Sequence, residues 1–147
     1  MNAPISMLLG EKGGAVHTIS PEATVLDAVH AMNSEGIGAI LVVAGEQVVG
    51  IFTERDILRR VVEQGVDPTS MRVRQLMTKD VRTIEPSTTT NEAMAVINHH
   101  RCRHLPVVEG GRLVGLISSG DLNRWAIRDQ QFELEQLSSY IADSYPA

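Results

Sequence analysis

The sequence is poor in cysteine, in aromatic residues and, over its first third, in basic residues, and it has no long apolar run. Cys102 is its single cysteine. No internal disulfide is therefore available, and the composition fits a reducing compartment. The aromatic residues are Phe52, Trp125, Phe132, Tyr140 and Tyr145, four of them beyond residue 120. Proteins that hold single-stranded nucleic acid stack successive bases on aromatic platforms, and so few rings at one end of the chain cannot line a groove. No stretch approaches the ~18 consecutive apolar residues of a membrane span. Residues 1–14 have neither a basic start nor an apolar run of ~7 to 15 residues, so they do not read as a signal peptide, and the expected location is the cytoplasm. Thirteen Lys and Arg against eighteen Asp and Glu leave a net charge of −5, which tells against a protein that binds by neutralising many phosphates of a nucleic-acid polymer.

With 147 residues, 43% of them hydrophobic, the chain suits one compact domain or two small modules that share a core. It is too short for a catalytic barrel with an added regulatory domain. The charge is uneven: residues 1–54 carry Lys12 alone against Glu11, Glu22, Asp27, Glu35, Glu46 and Glu54, while the remainder is balanced. Eleven of the thirteen bases are arginine, whose planar fork matches carboxylate and phosphate.

Displacing the sequence against itself by 65 positions superposes Val16–Arg59 on Val81–Arg124 without a gap. Val16/Val81, Thr18/Thr83, Ile19/Ile84, Pro21/Pro86, Thr24/Thr89, Val42/Val107, Gly45/Gly110, Gly50/Gly115, Asp56/Asp121 and Arg59/Arg124 are among the identities. Two copies are too few for a solenoid, so the repeat predicts a pseudo-symmetric pair whose apolar faces cover one another.

Each copy divides in the same way. An extended piece (Val16–Ile19, Val81–Ile84) runs to a proline. Thr24 with Asp27, and Thr89 with Glu92, then spell a helix N-cap with an acid three residues on. The first helix buries a stripe of Val25, Ala28, Val29 and Met32, and Gly36 is its stop. Two β-rich runs follow, Ala39–Val43 and Val48–Phe52 joined at Gly45-Glu46, then Leu105–Val108 and Leu113–Ile117 joined at Gly110-Gly111. A second helix starts at Glu54 or Ser119. The order strand, helix, strand, strand, helix, met twice, gives an α/β (α+β) fold with helices packed on small sheets. Residues 65–70 read as a linker, and Arg72–Met77 leads into the second copy as Ile5–Leu9 leads into the first, with a small insertion at Gly13-Gly14. Beyond Arg124 the chain reads as helix to about Ile141. Its apolar residues Trp125, Phe132, Leu134, Leu137, Tyr140 and Ile141 are expected to pack within the chain or, second, against a partner chain.

Each hairpin ends in a related string, Gly50-Ile-Phe-Thr53-Glu-Arg-Asp56 and Gly115-Leu-Ile-Ser118-Ser-Gly-Asp121. Taken alone, a hydroxyl with an acid three residues later is a capping arrangement. Placed twice where a strand becomes a helix, it also sits where free N–H groups and the helix dipole favour an anion. A carboxylate there has two oxygens, enough for both hydroxyls of a ribose.

The doubled pattern, with Val-x-Thr-Ile-x-Pro opening each copy, His104-Leu-Pro-Val-Val108 on a middle strand and Gly-x-x-[Thr/Ser]-x-x-Asp at each close, resembles a tandem pair of cystathionine-β-synthase (CBS) domains, the Bateman module. The resemblance covers about Ile5–Trp125. It implies two β-α-β-β-α modules packed sheet to sheet, residues 5–66 and 71–126, with a helical extension over residues 127–147. It also implies a regulatory module for signal transduction that binds an adenosyl ligand, AMP foremost, then ADP, ATP, NAD or S-adenosylmethionine, and that commonly forms a homodimer. Carried across, Asp56 and Asp121 hold the ribose, Thr53 and Ser118 approach the phosphate, and Thr18 and Thr83 line the pockets. Ile37-Gly38-Ala39 and Arg103-His104-Leu105-Pro106 flank the adenine. Arg55 lies inside the first motif, where the second has Gly120.

Among the alternatives, His99-His-Arg-Cys-Arg-His104 lacks the second ligand group that structural zinc needs, and no metal is expected. Cys102 sits in register with Ile37 and reads as a small core residue. Histidine near its free pKa would make binding depend on pH. No nucleophile–base–acid set is found, so the expectation is a sensor without catalytic activity that regulates another polypeptide in trans. An enzyme, or a DNA-binding or interaction adaptor in which the pair is only a dimerisation scaffold, is the alternative. Because Arg101, Arg103 and His104 flank the second cleft, a phosphate-rich ligand is expected to favour that site.

Overall fold

The computed structural model describes residues 2–13 and 15–144. Gly14 of the expected insertion and Tyr145 lie outside them. The element order is α1 (Ile5–Lys12), β1 (Thr18–Ile19), α2 (Val25–Glu35), β2 (Ala39–Ala44), β3 (Gln47–Thr53), α3 (Glu54–Asp56) running on as a π-helical segment (Ile57–Val62), α4 (Val73–Leu76), α5 (Thr90–His100), β4 (His104–Glu109), β5 (Arg112–Ser118) and α6 (Ser119–Ser144). Strands β1-β2-β3 form one sheet, with β1 parallel to β2 and β2 antiparallel to β3, and β4-β5 form a second.

The chain packs as two compact units that interleave segments of the two sequence copies. The first takes in the first copy through Glu85 together with Pro106–Leu116; the second takes in α1, Pro86–Leu105 and the chain from Ile117 onward. In the first unit, Ala39, Ile40, Leu41 and Val42 are all buried, because both faces of β2 are covered. Ile40 and Val42 join Val25, Ala28 and Met32 of α2, Phe52 of β3, Val61, and Val73, Leu76 and Met77 at α4. Ala39, Leu41 and Ile51 pack on the opposite face with Val81, Leu113 and Leu116. Each fully buried Val, Leu or Ile contributes roughly 1.5 to 3 kcal/mol. The linker helix α4 is thus part of the first copy's core. In the second unit α1 is tied to the second copy by backbone bonds from the Ile5 N–H to the Thr88 carbonyl (2.8 Å) and from the Ser6 N–H to the Pro86 carbonyl (3.0 Å).

Helix α2 begins and ends as its spelling predicts. The Thr24 hydroxyl accepts from the Asp27 N–H (3.1 Å), and the Asp27 carboxylate accepts from the Thr24 N–H (3.0 Å). Gly36 closes it in the left-handed region, at φ 64°. Sixty-five residues on, the same conformation falls to Arg101, at φ 52°. A side chain there costs energy that glycine avoids. Arg101→Gly is expected to stabilise the fold by about 0.5 to 1 kcal/mol after the larger unfolded-state entropy of glycine is subtracted, seen as a raised midpoint with unchanged slope in urea.

The opening strands of the two copies differ. In the first, the Leu41 N–H donates to the His17 carbonyl (3.4 Å) and β1 pairs over Thr18 and Ile19. The second is reduced to a single parallel bridge between Ile84 and Val107. The position equivalent to Leu41 is Pro106, which has no N–H, so the ladder cannot extend past Ile84.

The expectation that the α6 apolar face packs within the chain is overturned. Trp125 is half-buried, with the Arg128 guanidinium 5.9 Å from its ring centroid, but Phe132, Leu134, Leu137, Tyr140 and Ile141 are exposed, Tyr140 by 71%. At 1.5 Å per residue α6 is roughly 39 Å long, whereas α5, against which it packs, has 11 residues. The last turns of α6 overrun α5.

Candidate functional site

Both Gly-x-x-[Thr/Ser]-x-x-Asp strings fold as strand-to-helix corners. At corner one, in the first unit, β3 ends at Thr53, whose hydroxyl accepts from the Asp56 N–H (3.2 Å) while Asp56 Oδ2 accepts from the Thr53 N–H (3.0 Å) and hydroxyl (3.1 Å). At corner two, in the second unit, the Ser118 hydroxyl accepts from the Asp121 N–H (3.1 Å) and Asp121 Oδ2 accepts from the Ser118 N–H (2.9 Å). The next residue keeps the register: the Glu54 N–H donates to the Gly38 carbonyl (3.0 Å) and the Ser119 N–H to the Arg103 carbonyl (2.8 Å). Repeat symmetry extends to individual hydrogen bonds, and capping is part of what each aspartate does.

The free faces of the carboxylates differ. Asp56, 5% exposed, receives the Thr78 hydroxyl on Oδ1 (3.0 Å), with Arg60 Nε 3.7 Å away. Arg60 is itself held by Nη1 on the Leu76 and Met77 carbonyls, both at 3.0 Å. Asp121 faces cations: Lys12 Nζ lies 2.9 Å from Oδ2, and Arg124 donates to Oδ1. Burial raises the Asp121 pKa, but the Lys12 ammonium and the Ser118 N–H and hydroxyl outweigh it and hold the carboxyl below its ordinary 3.8. A depressed carboxylate stabilises the fold above its unfolded pKa and loses that contribution as pH falls through the folded value. Wild type is therefore expected to exceed Asp121→Asn in stability at pH 6. That advantage should shrink to nothing as the pH drops below about 4 and passes the folded pKa, read from urea unfolding of both proteins at each pH.

Of the other residues implicated by the resemblance, Thr18 and Thr83 are exposed on the opening segments, Ile37 is half-buried, Ala39 is buried and Arg55 is exposed, all in the first unit. Gly38 faces the Glu54 carboxyl, which a Cβ at that position would approach to 3.3 Å. In the second unit Arg103 is exposed, His104 half-buried and Leu105 buried, while the buried Pro106 belongs to the first. The structure thus brings Thr53 and Asp56 together, with Gly38 beside Glu54, and joins Ser118, Asp121 and the Arg103 carbonyl. Thr83 and Pro106 pack with the first unit instead. Burial pushes the His104 pKa down from its free value of 6.5, helped by Lys12 and Arg103 and opposed by Asp121. Among the described residues, no group of three or more His, Cys, Asp or Glu is placed to hold a metal.

Sequence reasoning missed Thr78, Lys12 and Arg124 as partners of the two aspartates. Thr78 comes two residues after α4 and Lys12 ends α1, so each copy's aspartate is met by a residue at the close of a linker helix. Arg124, three residues after Asp121, offered a local signal, whereas Lys12 and Thr78 offered none.

A CBS-domain family model matches residues 15–63 and 73–128. The chain is similar to the solved structure of a putative signal-transduction protein with CBS domains from Burkholderia ambifaria, at 44% identity and a TM-score of 0.81 over 87% of this chain and 96% of that one. It is 38% identical over 127 residues to the mitochondrial CBS domain-containing protein CBSX3 of Arabidopsis thaliana, covering 83% of this chain but 62% of that protein's length. A CBS domain protein of Pyrobaculum aerophilum complexed with AMP shares the fold, with a TM-score of 0.73 and 24% identity over 81% of this chain and 89% of that one. No described helix is long and apolar enough to cross a membrane. With two matched copies in register and relatives of the same build, the chain belongs to the CBS-domain family and carries its domain as a tandem pair.

Proposed function

We propose that this chain is a regulatory module that binds an adenosine nucleotide at its two corners, without catalysis of its own, and conveys occupancy to a protein partner in trans. Asp56 and Asp121 accept the ribose hydroxyls, and Thr53, Ser118 and the helix N–H groups face the phosphate. The observation that carries the reading is the hydroxyl–carboxylate pair placed at a strand-to-helix corner in both copies, with the same reciprocal bonds. The AMP complex of the Pyrobaculum protein supports it as a property of the fold. A ligand that prefers one arrangement of the modules shifts their equilibrium by its differential affinity, typically ~1 to 3 kcal/mol.

The test is a thermal-shift panel of AMP, ADP, ATP, NAD, NADH and S-adenosylmethionine. A bound ligand at a hundred times its Kd adds about 2.7 kcal/mol, which at this chain length raises the midpoint by roughly 5 to 10 °C. If none of the six moves the midpoint, the reading falls.

The exposed ridge of α6 favours a second role. Ile127, Leu134, Leu137 and Ile141 follow one another at steps of seven, three and four, the spacing of a two-helix seam. In this reading the pair also joins two copies as a homodimer, and sedimentation of Leu134→Glu as a monomer beside a dimeric wild type is the expected result.

A further inference from the structure

Corner two opens into a pocket of about 380 Å³ between α1 and α6. Leu8 and Ile127 give it an apolar wall, and Glu11, Lys12, Arg124 and Arg128 give it charge, with Asp121 at its edge. Apart from Asp121, none of these residues belongs to the set that the family resemblance implicates. Arg128 is paired with Glu11 (2.8 Å), and the other two cations are spent on Asp121.

This arrangement sets a condition on what Asp121 accepts. Its side chain is 11% exposed and both its oxygens already bear a cation. A neutral ribose can use the carboxylate only by displacing the charge-assisted bonds that Lys12 and Arg124 make to it, and neutral hydroxyls replace such bonds with weaker ones. A ligand that brings its own anion offsets that loss, because the cations pass from the carboxylate to the phosphates next to it. Once the ribose holds Asp121, three cations face one acid, Glu11, in the pocket. The volume exceeds the need of a single phosphate, since a water occupies about 30 Å³ and a phosphate a few times that.

We propose that corner two selects a nucleoside di- or triphosphate, with its phosphate chain in the pocket between α1 and α6 and with Lys12 and Arg124 as the residues that discriminate against uncharged or cationic adenosyl compounds. This rests on the reading of Asp121 as the ribose acceptor. Corner one has no such requirement. There a ribose exchanges with the neutral Thr78 hydroxyl, Arg60 stays on its two carbonyls, and the exposed Glu54 repels added phosphate.

The experiment is calorimetry on the full chain with adenosine, AMP, ADP, ATP and inorganic tripolyphosphate, for wild type, Lys12→Met and Arg124→Met. Wild type is expected to bind ATP at one site at least 10-fold more tightly than adenosine. Either variant should lower that ratio about 10-fold or more, losing ATP affinity while adenosine binds equally well or better, and should lose tripolyphosphate binding. An ATP-to-adenosine ratio unchanged in both variants overturns the proposal. If no nucleoside binds but tripolyphosphate does, and depends on Lys12, the ribose reading of Asp121 is overturned and the anion site is supported. If nothing binds, both fall.

Discussion

Asp56→Ala is expected to lower the stability of the fold by about 3 kcal/mol, and with it the thermal midpoint by roughly 6 to 12 °C. The loss has two parts. An N-terminal cap is removed, about 1 kcal/mol, and the half-buried Thr53 and Thr78 hydroxyls lose the carboxylate that received them, at about 1 kcal/mol each. The same change at Asp121 is expected to cost less, about 1 kcal/mol, because its ionic partners Lys12 and Arg124 are exposed and return to water. Alanine at residue 56 therefore cannot by itself separate a cap from a ribose acceptor: a weakened fold weakens binding for either reason. Asparagine at the same position separates them. It caps about as well as aspartate, and the Thr78 hydroxyl can turn to accept from its amide, so stability should fall by about 1 kcal/mol or less. The ribose loses a charged acceptor worth about 1.5 to 3 kcal/mol, and affinity at corner one should fall about 10- to 100-fold in calorimetry with AMP. An Asp56→Asn protein that binds AMP as wild type does would leave Asp56 as a cap alone.

What was legible in the sequence was local, or repeated. The hydroxyl–acid spelling of Thr24 with Asp27 and of Thr53 with Asp56 became reciprocal caps because all the atoms involved lie within one turn. The repeat of 65 supplied the rest of the frame, down to the matched carbonyls of Gly38 and Arg103. Departures from symmetry were legible in principle where a single residue type dictates them: Pro106 ends the second parallel ladder, and Arg101 takes a conformation that its counterpart Gly36 adopts freely. The distant partners of the two aspartates were not legible. Lys12 and Asp121 are 109 positions apart, and no local pattern couples them. Nor does any pattern announce that α4 completes the core of the first copy while α1 docks on the second. The exposed ridge of α6 has the same cause. An apolar stripe states that a face seeks cover, whereas the length of the helix relative to its neighbour decides whether the chain itself supplies it.

Gly50→Ala is expected to disturb corner one from outside the motif's chemistry and with the opposite effect on its carboxylate. A Cβ on Gly50 would lie 2.5 Å from the Met77 sulfur, 2.9 Å from its Cγ and 3.0 Å from the Thr78 carbonyl oxygen. The side chain of Met77 is flexible but buried among Val25, Phe52 and Val73, and the Thr78 backbone is held on Ile51 by bonds of 2.9 Å in both directions. Neither yields without loss of packing, so the expected cost is about 2 to 3 kcal/mol, a fall of roughly 4 to 12 °C in the thermal midpoint. Gly50→Ala combined with Met77→Ala tests where the clash lies. If the sulfur carries most of it, the double variant recovers part of the loss that the methionine deletion alone would add to. If the Thr78 carbonyl carries it, the two losses add, as they do for independent sites. The displacement also moves the Thr78 hydroxyl off Asp56, freeing Oδ1 for a ligand. Gly50→Ala should therefore keep or raise the affinity of corner one for AMP while lowering stability, whereas Asp56→Ala lowers both. Calorimetry beside thermal unfolding reads the two signs, and a Gly50→Ala protein with wild-type midpoint would show that the approach of Met77–Thr78 to β3 is not tight.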